Sequence, residues 1–241
     1  MTRRRWIADQ VSGNRATLVG EHAAHLARVL RAQAGQEFDI AAEGVLRRGR
    51  IVSVSPERVE FELGEELAAT PAAHVTLALA IFKFDRMEWA IEKCTELGVA
   101  RIVPFSARRS EPHLAAAAAK RVERWRRIAR EAAEQARRLA PPEIAGPVKL
   151  RDVLALPGKL RILLSEAETA VSLREVCGAG AAGSHMALAI GPEGGWTNEE
   201  LQAFAEVGWK SASLGPTILR AETAAIAAVA VVMAEQPESQ A

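Results

Sequence analysis

Two short stretches of the chain place glycines next to charged side chains. Residues 190–200 read IGPEGGWTNEE, and residues 214–225 read LGPTILRAETAA. Each follows a run that predicts a strand, and glycines allow the backbone N–H and C=O groups of a turn to approach a ligand closely. In open α/β sheets, ligands bind where a strand ends and a helix begins. We therefore expect the two turns to form adjacent walls of one cleft.

A phosphate group is the first ligand that a glycine-rich turn suggests. Neither stretch matches GxxxxGK[ST] or GxGxxG, and Glu193 in the first turn would repel a phosphate. The alternative for this turn is a tight structural connection that binds nothing.

The second stretch brings Arg220, Glu222 and Thr223 to the predicted start of a helix. An arginine and a carboxylate at the edge of a cleft can stabilise charge or accept a proton. Alternatively, Glu222 and Thr223 only favour the helix N-terminus through capping and dipole effects, while Arg220 pairs with a nearby acid. The residue types leave both interpretations open.

The elements that must position these residues alternate between buried strands and amphipathic helices. This alternation predicts a parallel sheet with helices on both faces, an α/β fold. Asp85 is expected to cap the first helix, and Thr197 with Glu200 forms a capping box after the glycine turn. A long basic helix is predicted over about 114–138, and a final apolar helix begins near Ala221.

The N-terminal part of the chain has a different pattern. Residues 1 to about 63 are strand-rich, with Val59, Phe61 and Leu63 on one face of a predicted strand. One helix interrupts them and is expected to stop at Gly35. Residues 64–74 are turn-rich and are the best linker candidate, so we predict domains over 1–70 and 71–241.

Composition excludes several classes of protein. The chain has 241 residues, 49% of them apolar, but no apolar run of the length of a membrane helix and no signal sequence, so a cytoplasmic location is expected. Cys94 and Cys177 lie far apart, without a CxxC pattern or a histidine at zinc-ligand spacing. Both are expected to be buried, reduced thiols, and no metal site is expected.

The net charge of +1 is unevenly distributed. Residues 1–50 carry a net charge of +4 and residues 101–140 carry +7. Such segments on a nearly neutral protein predict a localised surface that binds a polyanion, with ordinary solvated helix faces as the alternative.

The two glycine turns, together with KFDRMEWAIEKCTELGV, ARRS and EAAEQARR, resemble the RsmE family of bacterial 16S ribosomal RNA uridine-N3 methyltransferases of the SPOUT superfamily. The segment HLARVLRAQAGQEFDI is similar to the PUA-like RNA-binding domain of that family. The resemblance covers most of the chain, and the motifs occur in the family's order. One departure is Thr217, where relatives often carry a basic residue.

The resemblance implies a C-terminal SPOUT α/β domain with a deep trefoil knot, a small β-rich PUA-like N-terminal domain and a homodimer. It also implies S-adenosylmethionine as the cofactor, whose sulfonium tolerates an acid in the glycine turn as a phosphate would not. The residues expected to bind it are Leu164, Ser165, Glu166, Ile190, Gly191, Pro192, Glu193, Gly194, Gly195, Leu214, Gly215, Ile218, Leu219 and Arg220. Glu193 is either an acid of this site or a side chain that braces the turn.

Methylation of uracil N3 requires help for the departing proton and stabilisation of charge on the uracil oxygens. Arg220 is the candidate for electrostatic stabilisation, followed by Arg109, and Glu222 is a base, an orienting group or a purely structural residue. The 16S rRNA of the small subunit is the expected partner. The arginines that would contact its phosphates are Arg3, Arg4, Arg5, Arg28, Arg31, Arg109, Arg126, Arg127, Arg130 and Arg138.

Three alternatives remain at this point. The protein could bind rRNA as an assembly factor without catalysis, or it could be a SPOUT methyltransferase with another rRNA target. A nucleotide-dependent enzyme that uses the glycine turn on a phosphate is disfavoured because the turn has no lysine.

Overall fold

The computed structural model describes residues 5–69, 74–178 and 185–235. They form two compact units: residues 5–69 with 133–140 make up the first, and the other described residues make up the second. The predicted boundary near residue 70 falls outside the described residues. Within the described part of the chain, no helix is both long and apolar enough to cross a membrane.

The first unit contains a six-stranded mixed sheet. Its strands are β1 Arg5–Ile7, β2 Gln10–Ser12, β3 Arg15–Val19, β4 Glu37–Ala42, β5 Val45–Val54 and β6 Arg58–Glu66. The strand order is β1-β4-β5-β6-β3-β2, with β1 parallel to β4 and the other pairs antiparallel. Val59, Phe61 and Leu63 of β6 are buried in one core, which confirms their predicted common face.

Two predictions for this unit are wrong in their boundaries. Residues 64–66 belong to β6, where Glu66 pairs with Arg47, so the turn-rich composition of the predicted linker is overridden by strand pairing. Helix α1, Gly20–Ala24, continues as a π-helical turn over His25–Val29 and ends well before Gly35.

The second unit contains a sheet of seven parallel strands. They are β7 Val75–Ala80, β8 Arg101–Ser106, β9 Glu143–Ile144, β10 Val148–Lys149, β11 Leu160–Leu164, β12 Met186–Ile190 and β13 Lys210–Ala212. β12 lies between β7 and β11, β13 pairs with the other edge of β11, and β9 and β10 both pair with β8. The predicted parallel sheet is confirmed.

Helices cover both faces of this sheet. They are α2 Phe84–Glu96, α3 Pro112–Ala117, α4 Val122–Gln135, α5 Leu150–Leu154, α6 Leu173–Gly178, α7 Asn198–Glu206 and α8 Ala221–Ala234. Leu77 and Leu79 of β7 pack in a core with α2, α4, α6 and α8, whereas Ala78 and Ala80 pack in a core with α5 and α7. Successive strand side chains point to opposite faces, so one short apolar strand contributes to both cores.

The helix boundaries confirm some predictions and correct others. The capping box of Thr197 and Glu200 is present, and the last helix begins at Ala221 as predicted. The predicted cap at Asp85 is wrong, because α2 begins at Phe84 and Asp85 lies in its first turn, where its charge favours the helix dipole.

The predicted helix over 114–138 is three segments. A 3₁₀ turn, Ala118–Arg121, separates α3 from α4, which ends at Gln135. Because a 3₁₀ turn has fewer residues than an α-turn, it changes the phase of the following helix. Trp125 thereby lies fully buried in the core that contains α2 and α8.

Both cysteines are buried and unpaired, as predicted. Burial raises the pKa of the Cys94 thiol to about 12, so Cys94 is a neutral, unreactive side chain at physiological pH.

We expect Trp125→Ala to lower the free energy of unfolding by about 3–5 kcal/mol, since it removes a large side chain from a closely packed core. Trp89→Ala is the matched control, because Trp89 of α2 is 48% exposed, and its expected loss is below about 1 kcal/mol. Urea unfolding followed by circular dichroism measures both. Equal losses would contradict the assigned packing of α4.

Candidate active site

A cavity of about 580 Å³ opens in the second unit at the carboxyl ends of β11 and β12. Three segments line it, 164–166, 190–196 and 213–221 without Pro216, together with Arg86 and Ala224. Every residue that the sequence assigned to cofactor binding lies on its wall. The volume is within the range of about 300–1,000 Å³ that is usual for small-molecule sites. The two glycine turns therefore form one cleft, as the sequence predicts.

Trp196 holds the first turn against the neighbouring strand. Its indole Nε1 donates a hydrogen bond of 2.7 Å to the carbonyl oxygen of Leu164, the last residue of β11. The ring stacks on Phe105 and contacts Phe204 edge to face. A Cβ atom on Gly191 would lie 2.9 Å from this ring, so the turn can pass over the indole only with glycine there.

A hydrogen bond closes the turn: the Gly195 N–H donates to the Pro192 carbonyl oxygen at 2.9 Å. Gly195 has a φ of +69°, a conformation that side chains other than glycine rarely adopt. A Cβ atom there would lie 2.1 Å from Oε1 of Glu166, so this carboxylate packs directly on the glycine backbone. The position therefore requires glycine for its conformation, and a side chain there would also displace the end of the Glu166 side chain.

A second set of contacts holds the turn from the side of β8. The buried Glu200 carboxylate accepts hydrogen bonds from the backbone N–H groups of Arg108 at 2.8 Å and Thr197 at 3.0 Å. Arg109 Nη1 donates a hydrogen bond of 2.8 Å to the carbonyl oxygen of Gly194. These contacts join the loop after β8 to the start of α7 and to the turn.

The second glycine turn forms the opposite wall. The Ser213 hydroxyl accepts a hydrogen bond from the Gly215 N–H at 3.1 Å, which shapes the entry to this turn. Thr217 and Ile218 follow on the cavity wall, and the Ile218 side chain is 87% exposed. This wall thus offers backbone groups and an open apolar side chain.

Charged side chains at the cavity are partly paired with each other. Arg86, in the first turn of α2, places Nη1 2.5 Å from Oε1 of Glu193 and Nε 3.7 Å from Oε1 of Glu222. Glu166 and Arg220 line the cavity and form no ion pair within the described part of the chain. The cavity therefore presents one carboxylate and one guanidinium that remain available to a ligand.

The three candidate catalytic residues occupy different positions. Arg220 is exposed, lines the cavity and immediately precedes α8, without a capping hydrogen bond from its side chain. Glu222 is only 3% exposed and lies beside Arg86. Neither Glu222 nor Arg109 lies on the cavity wall. Geometry thus separates Arg220 from the other two.

The arginines predicted to contact RNA are only partly free to do so. Arg3 and Arg4 lie outside the described residues. Arg5 donates to the Arg137 carbonyl, and burial lowers the pKa of both Arg5 and Arg138. The exposed members of the set are Arg28, Arg31, Arg109, Arg126 and Arg127. Arg126 pairs with Glu123, and Arg130 is half-buried.

Six residues of the cavity wall were missed by sequence reasoning, namely Arg86, Trp196, Ser213, Thr217, Ala221 and Ala224. Five of them could have been predicted, because they lie within or beside the two glycine stretches. Arg86 lies in another quoted stretch, KFDRMEWAIEKCTELGV, and nothing in the sequence indicates that it contacts Glu193, which is 107 residues away. The described residues contain no group of three or more potential metal ligands.

Comparison with known proteins first defines the class. A model of the RNA methyltransferase domain family matches residues 69–233, which include the whole cavity. Ribosomal RNA small subunit methyltransferase E of Aquifex aeolicus is 32% identical over 208 residues, covering 86% of this chain and 89% of the relative. The Bacillus subtilis protein of the same name is 31% identical over 227 residues, covering 90% and 88%.

Solved structures agree. A Legionella pneumophila protein determined with the bound cofactor S-adenosylmethionine has a TM-score of 0.85 at 30% identity and covers 98% of this chain and 99% of its own. Ribosomal RNA small subunit methyltransferase E of Neisseria gonorrhoeae, bound to S-adenosylmethionine, has a TM-score of 0.80 at 28% identity and covers 97% and 98%. The chain belongs to the ribosomal RNA small subunit methyltransferase E family, which is the family that its motifs resemble.

We expect Trp196→Phe to lower the free energy of unfolding by about 1–2 kcal/mol more than Trp209→Phe. The two indoles are equally buried and both contact Phe204, but Trp209 Nε1 lies 3.4 Å from its acceptor, whereas Trp196 Nε1 lies 2.7 Å from the Leu164 carbonyl. Urea unfolding of the two variants gives the comparison. Equal losses would show that the shorter hydrogen bond of Trp196 adds nothing to the free energy of unfolding.

Proposed function

We propose that this protein transfers a methyl group from S-adenosylmethionine to N3 of a specific uridine in the 16S rRNA of the small ribosomal subunit. The observation that carries the proposal is the cavity between the two glycine turns, in a chain of this family. The two similar structures that hold S-adenosylmethionine support the choice of cofactor.

The residues on the cavity wall fit this cofactor. Ile190, Leu214 and Leu219 offer apolar contact, and those backbone groups of the two glycine turns that are not already bonded within the protein can hydrogen-bond an adenine and a ribose. Glu193 is compensated by Arg86, whereas Glu166 has no such partner in the described part of the chain. We propose that Glu166 favours the positively charged end of the cofactor, a preference that a phosphate ligand would reverse.

Bound S-adenosylmethionine supplies an electrophilic methyl group, and the side chains of the chain itself must prepare uracil N3 to receive it. We assign the electrostatic role to Arg220, because a guanidinium on the cavity wall can stabilise negative charge on the uracil oxygens as the N3 proton leaves. Arg109 and Glu222 are assigned structural roles. Arg109 donates a hydrogen bond to the Gly194 carbonyl oxygen in the glycine turn, and Glu222 forms an ion pair with Arg86. The proton acceptor is then solvent or the RNA itself.

RNA recognition is assigned to exposed basic side chains and to the first unit as a PUA-like domain. Its six-stranded mixed sheet and the exposed Arg28 and Arg31 support this role. A uridine must leave its stack to reach a cavity, at a cost of a few kcal/mol that contacts with the rRNA backbone offset. An rRNA substrate also supports the cytoplasm as the compartment.

We also retain the knot and the homodimer as proposals. β12 lies between β7 and β11 in the sheet, whereas the next strand along the chain, β13, lies on the other side of β11. The chain then continues into α8, which packs against α2. This path supports a knotted chain. The exposed Ile218 at the cavity supports coverage by a second chain or by RNA. Sedimentation velocity of the full chain tests the dimer, and a purely monomeric protein would contradict it.

The test of the proposed function is a methylation assay. The protein is incubated with labelled S-adenosylmethionine and small ribosomal subunits that lack the modification, and the labelled nucleoside is mapped. We expect label on N3 of one uridine. Label on another base or on a ribose oxygen would assign a different target, and cofactor binding without transfer would favour a non-catalytic rRNA-binding protein.

We expect Arg220→Ala to lower the rate of methyl transfer at saturating substrates by about 10²–10³-fold, the usual effect of removing one electrostatic stabiliser from an active site. Arg174→Ala is the control, because Arg174 is exposed on α6, off the cavity wall, and pairs with Glu235 at 3.3 Å. Single-turnover transfer to small subunits measures both rates. A wild-type rate in Arg220→Ala would remove Arg220 from the chemistry.

A further inference from the structure

The side chain of Arg86 joins two carboxylates from separate parts of the chain. Its Nη1 lies 2.5 Å from Glu193, in the middle of the first glycine turn, and its Nε lies 3.7 Å from Glu222, in the first turn of α8. Arg86 itself lies in the first turn of α2, which packs beside α8. One guanidinium therefore links three elements at the edge of the cavity.

Glu222 needs this cation for a physical reason. Its carboxylate is almost fully buried, and Oε2 has no hydrogen-bond partner within the described part of the chain. A buried carboxylate is costly unless an opposite charge lies nearby, and within the described part of the chain Arg86 supplies that charge to Glu222. This pairing fixes where the guanidinium lies, and the guanidinium in turn fixes Glu193.

The glycine turn needs such a fixed point. Glycines lose the most conformational freedom on ordering, and this turn contains three of them within five residues, 191–195. Trp196 supports the turn beneath Gly191, and Arg109 bonds the carbonyl of Gly194. Between these two supports, the Glu193 side chain is held by Arg86.

We propose that Arg86 is a positioning residue that fixes the cofactor turn before S-adenosylmethionine binds, through Glu193 on one side and Glu222 on the other. The inference rests on the proposed function, because it assigns the turn to the cofactor. A turn that is already ordered does not lose that freedom on binding, so the cofactor binds more tightly. Glu193 then acts by bracing the turn and has no need to contact the cofactor.

The geometry requires arginine in particular. Nη1 and Nε point to different carboxylates, and the planar fork of a guanidinium reaches both at once, whereas a lysine ammonium is a single point charge. Arg86→Lys is therefore expected to restore only part of the affinity.

The test is calorimetric titration of the full chain with S-adenosylmethionine. We expect Arg86→Gln and Glu193→Gln each to raise the cofactor Kd by about tenfold or more, because each releases the turn. The double variant should lie within about twofold of Arg86→Gln, since residues that act through one contact are not additive. Arg124→Gln is the matched control: Arg124 pairs with Glu88 of α2 at 2.8 Å, away from the cavity, and its removal should leave the Kd unchanged.

Each outcome bears on one proposal. Failure of the wild-type protein to bind S-adenosylmethionine contradicts the proposed function. Wild-type binding together with an unchanged Kd in Glu193→Gln overturns the role of Arg86, and so do additive effects in the double variant, which would mean that Glu193 contacts the cofactor directly. Arg86→Gln could fail to fold because Glu222 loses its partner. In that case Glu193→Gln and Arg86→Lys still test the role of Arg86, since both leave a cation beside Glu222.

Discussion

The hydrogen bond between the Trp196 indole and the Leu164 carbonyl is the contact on which the cavity depends. β11 and β12 are neighbours in the sheet, and the chain must leave β12 without covering the end of β11. Trp196 packs against Gly191 and bonds the last residue of β11, so it holds the glycine turn at the end of the neighbouring strand. The Trp196 ring leaves no room for a side chain on Gly191, and the positive φ of Gly195 disfavours one there. A cleft lined by backbone is the physical result.

Charge determines which ligand this cleft can hold. A glycine-rich turn at a strand end suits a phosphate in many proteins, but here it carries Glu193 and packs against Glu166. Arg86 compensates Glu193, and Glu166 remains as an uncompensated acid on the wall, with Arg220 on the same cavity. Arg220 is also unpaired within the described part of the chain, so the wall offers one free acid and one free arginine. One free arginine is too little positive charge for a polyanion, and the free acid tolerates a cationic group. The same fold edge that binds phosphates elsewhere therefore suits a sulfonium cofactor.

Local sequence signals predicted much of this arrangement. The capping box at Thr197, the helix start at Ala221 and the buried strands depend on neighbouring residues, so a single sequence reveals them. The gathering of 164–166 with both glycine turns came from the family resemblance, because the strand order that brings them together is long-range. Arg86 lies in the stretch KFDRMEWAIEKCTELGV that contributed to the resemblance, but its partners are far along the chain, so no local pattern linked it to the glycine turn. The break between α3 and α4 was also hidden, since residues 113–135 contain no glycine or proline that would mark it.

The most direct measurement is a crystal structure of the full chain with S-adenosylhomocysteine, the product that a methyl donor leaves behind. We expect the ligand in the cavity between residues 190–195 and 214–220, with its sulfur toward the opening beside Arg220 and the Arg86–Glu193 pair intact. A ligand bound at any other place, or a cavity that stays empty while the ligand binds in solution, would contradict the assignment of both glycine turns to one cofactor site.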